Sequence, residues 1–306
     1  MTYWFYGGFG SIGSSLTKSF DIGDNEIFIS GRGDIFERRF YCIKTSRRKI
    51  EKIHRDLFFK KYLYRIDVCL YLACPIVPSS KNPSISSDHF INNEIKHVEE
   101  VIKSLHNSCN CFIYFASGGA VYDDSLKDIN HPFNETSPLK PRSVYGNMKI
   151  KTEDFLFNSA FKSNISIYSL RLANPYGIIK SNGKEQGVIP IYRDNIILNK
   201  PIYQYGDGTQ IRDYIHIDDV IRAIYELIKY KGKYRIFNIG TGQGTSLTQL
   251  IKMIESALKL KANIIKLPKR ETDMNYSVVD YKLAFRELNW KPLVKFDHGL
   301  IKTLNI

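Results

Sequence analysis

Tyr3 to Tyr6 reads as a short aromatic strand, and Gly7, Gly10 and Gly13 follow it at once in a G-x-x-G-x-x-G spacing. No other stretch restricts the fold as strongly. Ile12, Leu16 and Phe20 then recur at helical spacing, so the chain opens as strand, glycine turn and helix. One glycine makes the tight turn, one lets the backbone approach a pyrophosphate, and one lets the helix pack closely. The helix start at Ser11 and Ile12 then faces the phosphates. Such a triplet alone also fits a plain tight turn; its weight comes from its place at the head of a βαβ run.

The rhythm continues. Glu26 to Ser30 is a second strand, Asp67 to Ala73 a further apolar run, Cys111 to Ala116 another buried strand, and Ile165 to Leu172 one more. Ile91, Ile95, Val98, Ile102 and Leu105 mark one face of a long helix. This alternation predicts a doubly wound α/β fold, a parallel sheet with helices on both faces. After Asn174 the rhythm breaks into glycines, prolines and polar residues, as expected of a smaller substrate-facing lobe. The expected division is residues 1–175 for the dinucleotide-binding domain and 176–306 for the substrate-binding domain, with the chain re-entering the first around 211–240.

The net charge of +13 raises the question of a nucleic-acid or membrane-surface partner. The basic residues are spread along the chain, and no nucleic-acid module is recognisable. The densest group, Arg38, Arg39, Lys44, Arg47 and Arg48, lies between strand-like runs and reads as a solvated surface segment. The five cysteines, Cys42, Cys69, Cys74, Cys109 and Cys111, lack a second ligand pair for zinc and read as reduced thiols in a reducing compartment. No metal is expected. The chain enters a strand directly after Met1, and no apolar run approaches the ~20 residues of a membrane span. The expectation is a cytoplasmic enzyme.

Two places speak of redox chemistry. An Asp or Glu commonly ends the second strand to hold a ribose 2′-OH. Here the strand ends Ile29-Ser30-Gly31-Arg32. Ser30 as donor and Arg32 as cation suit a 2′-phosphate, which favours NADP(H) and leaves NAD(H) as the alternative. Further on, Tyr145-Gly146-Asn147-Met148-Lys149 is Y-x-x-x-K. On a helix the two side chains share a face, and a nearby ammonium lowers a phenol's pKa and favours proton transfer.

Taken in order along the chain, the motifs resemble the extended short-chain dehydrogenase/reductases, the NAD-dependent epimerase/dehydratase group. The residues that carry the likeness are Gly7, Gly10 and Gly13; Asp56-Leu57; Asp67 to Ala73; Asn93; Ser117 to Tyr122; Tyr145 with Lys149; Arg171 to Gly177; Gly187 to Pro190; Tyr205 to His216; Asn238 to Gly240; and Arg286 to Trp290. The resemblance implies a Rossmann-type fold and a nucleotide-diphosphate sugar as partner. It implies that Asp56, Leu57, Leu72, Ala73 and Asn93 line the cofactor. It also implies that Tyr122, Asn174, Val188, Arg212 and Arg270 serve the substrate, the two arginines on its diphosphate. A homodimer through the helices of residues 90–105 and 145–160 is a further implication.

The chain departs from the family pattern at one loop. The usual Ser or Thr, four residues before Tyr122, is Gly118, and Ser117 is the nearest hydroxyl. Gly118-Gly119 also lacks the Asp-Glu pair of a dehydratase. The leading expectation is NADPH-dependent reduction of the 4-keto group of a nucleotide-linked 6-deoxysugar for bacterial surface polysaccharide. Tyr145, Lys149 and Ser117 are then the catalytic residues. A hexose or N-acetylhexosamine 4-epimerase with tightly bound NAD and a cofactor-sensing binding protein stand as alternatives.

Overall fold

The computed structural model describes residues 1–19, 25–31, 41–46, 49–76, 87–105, 109–125, 131–159, 165–177 and 187–304. In chain order the elements are β1 (Thr2–Tyr6), α1 (Ser11–Ser19), β2 (Glu26–Ser30), β3 (Tyr41–Ser46), β4 (Lys49–His54), a single turn α2 (Arg55–Leu57), β5 (Val68–Tyr71) and α3 (Ser87–Ser104). Then come β6 (Cys111–Ser117), α4 (Val144–Asn158), β7 (Ser166–Leu172), β8 (Asn174–Tyr176), α5 (Val188–Ile197), β9 (Pro201–Tyr205), β10 (Ile211–His216) and α6 (Ile217–Lys229). The last are β11 (Ile236–Ile239), β12 (Gly244–Ser246), α7 (Leu247–Leu258), β13 (Asn263–Leu267), β14 (Tyr276–Ser277), α8 (Lys282–Leu288) and α9 (Phe296–Leu304).

The large sheet has eight strands in the order β11-β7-β6-β5-β1-β2-β3-β4. Strand β1 lies at its heart, parallel to β2 with Phe5 beside Ile29, and parallel to β5 with Phe5 beside Leu70. All five β1 residues are buried, as a strand covered on both faces requires. The far edge departs from the expected parallel order. Strands β3 and β4 form an antiparallel hairpin on β2, with Ile43 between Ile29 and Lys52. Only two residues connect β3 to β4, too few for the crossover a parallel pair needs. Part of the basic segment is therefore sheet rather than a solvated loop. Lys44 of β3 pairs with Glu26 of β2, and its ammonium lies 5.2 Å from the Tyr62 ring centre. Arg38, Arg39, Arg47 and Arg48 lie outside the described residues.

The chain divides into two compact units: Met1–Ala116, Val144–Leu170 and Lys233–Ile236; and Ser117–Ser143, Arg171–Gly232 and Phe237–Ile306. The core of the first is rich in aromatic rings, including Trp4, Tyr6, Phe28, Phe58, Tyr71, Phe112 and Tyr114. Large rings bury much apolar area each and stack edge-on or offset; Tyr71 lies 5.2 Å from Tyr6 and 5.9 Å from Tyr114. Cys69, Cys109 and Cys111 are buried there outside any disulfide, and Cys74 is a half-buried thiol. Helix α3 packs against α4. It buries Ile91, Val98, Val101 and Ile102, and with them Glu94.

In the second unit β10 is the organising strand, paired with β8, β12 and β14. Its core joins α5, α7 and α9 through Ile189, Ile196, Leu250, Ile254, Leu300 and Leu304. Asp219 of α6 is fully buried and accepts the Leu293 and Val294 amides. The Trp290 indole donates to the Asp219 carbonyl at 3.0 Å, so the C-terminal Arg286-to-Trp290 run is tied to α6. Among the described residues no helix is long and apolar enough to cross a membrane.

Candidate active site

The glycine turn is built as its spacing predicts. Gly7 takes φ +79°, and a Cβ there would stand 2.4 Å from the Ala73 amide nitrogen. A side chain is excluded on both counts, which lets the turn close onto Ala73, two residues past the end of β5. The Leu72 amide donates to the Tyr6 carbonyl at 2.8 Å, fixing that residue beside the strand end. Gly10 precedes α1, Ser11 begins it, and Ile12 and Gly13 complete its first turn. Ser11 is buried, and its Oγ has no hydrogen-bond partner. A buried hydroxyl of that kind at a helix N-terminus, beside a backbone-only turn, fits a dinucleotide's pyrophosphate.

The other expected cofactor residues divide. Asn93 lies on α3, with its amide 2.8 Å from His89 Nε2. Asp56 and Leu57 are exposed in α2, beyond the edge hairpin. Ser30 is a correction: it is fully buried, and its Oγ accepts the Trp4 indole N–H at 2.9 Å. A hydroxyl turned into the core beside β1 does not face a ribose. Arg32 lies outside the described residues.

On α4, Tyr145 and Lys149 share one helix face, with Lys149 Nζ 5.8 Å from the Tyr145 ring centre. The same Nζ lies 4.6 Å over the Tyr114 ring of β6. Lys149 is 3% exposed. Burial works against its proton, but Tyr114, Cys74, Tyr145 and Glu94 oppose it, and its pKa stands well above the ordinary lysine value. Burial also pushes the Tyr114 phenol well up. The pair is thus a buried cation next to a half-buried phenol, an arrangement that can move a proton at an oxygen.

In the second unit Ser117 is buried, and its Oγ accepts the Gly119 amide at 3.2 Å. Gly118 donates to the Leu172 carbonyl at 2.7 Å. A Cβ at Gly118 would stand 2.9 Å from the Arg171 carbonyl and 2.9 Å from Val279 Cγ1. The missing family hydroxyl is therefore a packing consequence of how closely this loop lies on β7. Gly119 faces Ser277 and Asn174: a Cβ there would be 3.2 Å from Ser277 Oγ and 3.6 Å from Asn174 Oδ1. The Asn174 amide donates to the Asp213 carbonyl at 3.0 Å.

Tyr122 is fully buried. Its hydroxyl donates to Asn238 at 2.6 Å and accepts from Arg171 at 3.0 Å, so both of its hydrogen-bond roles are spent inside the protein. Val188 starts α5 after Gly187. Arg212 lies in β10, where its guanidinium donates to the Ile211 carbonyl at 2.9 Å. Arg270 pairs with Asp273 at 3.1 Å and lies 4.0 Å over the Tyr205 ring. Arg212 is half-buried; burial lowers its pKa, while Tyr214, Asp273 and Asp124 act to hold its charge. Guanidinium groups such as these pair with phosphate oxygens.

Sequence reading missed Glu94 and Asp213. Glu94 interrupts the apolar stripe of α3, and that interruption was a usable signal. Asp213 is fully buried and accepts the Thr241 and Gly242 amides; burial lifts its carboxyl to about 6. Its place in a strand gave no sign of this.

Residues 6–240 match the NAD dependent epimerase/dehydratase family. The chain is 32% identical over 308 residues to a dTDP-4-dehydro-6-deoxyglucose reductase of Escherichia coli, covering 97% of this chain and 95% of that protein. It superposes on a UDP-glucose 4-epimerase with UDP-glucose from Thermotoga maritima at a TM-score of 0.79 and 26% identity, covering 100% of this chain and 98% of that one. A Thermus thermophilus UDP-glucose 4-epimerase complex with NAD shares the fold at a TM-score of 0.80 and 20% identity, with 100% and 98% covered.

Proposed function

The chain belongs to the NAD dependent epimerase/dehydratase family, and within it we propose that it reduces the 4-keto group of a nucleotide-linked 6-deoxysugar with NADPH. The observation that carries this reading is the near full-length likeness to the Escherichia coli reductase. The glycines at 118 and 119 support it, because they offer no carboxylate for a dehydratase. Such a product would serve bacterial surface polysaccharide.

When bound, the nicotinamide would supply the hydride for the sugar's C4. Tyr145 donates its phenolic proton to O4, so the C=O bond becomes CH–OH with one hydride and one proton added. Lys149 holds the positive charge that stabilises the phenolate left behind. Ser117 holds the carbonyl oxygen from the end of β6. Arg212 and Arg270 neutralise the diphosphate, with Asn174 and Val188 beside the nucleotide. Tyr122 acts behind this surface, holding the loop through Arg171 and Asn238. Gly7, Gly10, Ser11, Ile12 and Gly13 hold the dinucleotide's pyrophosphate, and Leu72 and Ala73 border it. Preference for NADPH follows from Arg32 and from the absence of an acid at the end of β2. A homodimer through α3 and α4 completes the reading.

Deuterium tracing tests it. Product formed from NADPH deuterated at both C4 positions should carry one deuterium at the sugar C4. A second reading, 4-epimerisation, is favoured by the likeness to the Thermotoga maritima enzyme. It predicts turnover without added cofactor and no deuterium in the product.

A further inference from the structure

Asp124 is 2% exposed and lies two residues past Tyr122, in the segment after β6. An antiparallel bridge between Tyr122 and Leu139 lays that segment beside the one that carries Arg142. A carboxylate so deeply buried is costly unless both of its oxygens are met. Here Oδ1 accepts Arg142 Nε at 2.6 Å, and Oδ2 accepts the Asn275 amide at 2.5 Å. Arg142 is the outer member of the pair, with its side chain 34% exposed.

Asn275 carries the contact inward. Its carbonyl accepts the Ile211 amide at 2.8 Å, and the Ile211 carbonyl accepts Arg212 Nη1 at 2.9 Å. A run of hydrogen bonds thus leads from Arg142 through Asp124, Asn275 and Ile211 to the Arg212 guanidinium. Strand β14 starts at the next residue and pairs Tyr276 with Ile211 and Ser277 with Arg212. The same asparagine closes the turn that holds Arg270. Its side chain accepts the Lys269 ammonium, and inside the turn the Asp273 amide donates to the Arg270 carbonyl at 3.1 Å. All of these residues belong to the second unit. One buried carboxylate therefore fixes the residue from which both arginines are set. The residue type matters as well. A carboxylate accepts in both directions, whereas an asparagine amide has one accepting oxygen and would turn its NH2 toward one of the two donors.

We propose that Asp124 is a positioning residue for the diphosphate of the nucleotide sugar. Through Asn275 it sets Arg212 and Arg270 before the substrate arrives, and Arg142 holds it in place. Guanidinium groups fixed in advance bind more tightly than free ones, because less side-chain freedom is lost on binding. The inference rests on the reading of Arg212 and Arg270 as the diphosphate pair.

The test titrates the full chain, without dinucleotide or sugar, with UDP and with dTDP by calorimetry. The wild type should bind at least one of them. In Asp124→Asn the Kd of that diphosphate should rise at least about tenfold, with the Kd of NADPH unchanged. Arg142→Met should shift it in the same direction, and it carries the test if Asp124→Asn does not fold. With Arg212→Ala and Arg270→Ala already present, Asp124→Asn should add less than about threefold, since the groups it sets are gone. A folded Asp124→Asn that binds the diphosphate as the wild type does overturns the proposal, as does such an Arg142→Met where it stands in. A loss that persists in full without the two arginines, or that falls equally on NADPH, also overturns it. A wild type that binds neither diphosphate overturns the reading of the arginines along with it. Binding is read without turnover, so a failure of the reductase reading shows in the kinetics and not here.

Discussion

Lys149 Nζ stands 4.6 Å from the centre of the Tyr114 ring and 5.8 Å from that of Tyr145. Strand β6 gives the ammonium its platform, and helix α4 gives it its reacting neighbour. A cation over an aromatic face gains about 0.5–2 kcal/mol, more when desolvated. Tyr114→Leu removes that face and should lower kcat about three- to thirty-fold, with KM for the sugar unchanged. Tyr114→Phe keeps the face and should retain more of the turnover. Equal losses in the two variants would show that the ring does not serve the cation.

Gly118 lies where the family carries a hydroxyl, and a side chain there would meet the Arg171 carbonyl and Val279. Restoring the family residue as Gly118→Ser should therefore destabilise the protein, by about 1–3 kcal/mol for an overpacked site, and should not raise turnover. Ser117→Ala should lower kcat instead. Chemical denaturation and steady-state kinetics on the two variants separate the effects. Full activity in Ser117→Ala would remove Ser117 from the mechanism.

The Trp4 indole N–H donates to Ser30 Oγ inside the core. Ser30→Ala leaves that donor buried and unpaired, which should cost about 1–3 kcal/mol of stability. The ratio of NADPH to NADH activity should not change. Arg32→Ala should move that ratio toward NADH. If Ser30→Ala changed the ratio and left stability alone, its hydroxyl would face the cofactor after all.

Asp213 gives the second unit one source of pH dependence. Burial raises its carboxyl from 3.8 to about 6. Between about pH 4 and pH 6 the folded protein holds a proton that the unfolded chain has released. This group's contribution to stability therefore falls as pH rises through that window and is level above it. Asp213→Asn cannot titrate. The cost of the substitution, measured by urea unfolding, should shrink by up to about 2–3 kcal/mol from pH 4 to pH 6.5. A cost that stays constant or grows would mean the carboxylate is stabilised where it lies.

What could be read beforehand was what rests on fixed backbone or helical geometry. Gly7 had to be glycine because a left-handed turn closes onto Ala73, and Tyr145 and Lys149 had to share a face because they are four apart on a helix. What could not be read depended on long-range packing. Strand β2 is buried on both faces, so alternation could not tell that Ser30 turns toward Trp4. The β3–β4 hairpin was hidden by its lysines and glutamate, which made it look like loop. Glu94 was passed over because counting apolar positions on α3 ignores a charge on the same stripe. Asp213 lies within a family motif, but its buried contacts to Thr241 and Gly242 are made across 28 and 29 residues of chain.

The central claim is a reductase that consumes NADPH, and stoichiometry tests it most directly. The protein is mixed with NADPH and each of a panel of 4-keto-6-deoxy nucleotide sugars, and absorbance of the reduced cofactor is followed to completion. The account predicts one NADPH oxidised for each keto sugar consumed, with the activity lost in Tyr145→Phe while NADPH still binds. Turnover of a nucleotide hexose with no net loss of NADPH, sustained by cofactor that purifies with the protein, would contradict it.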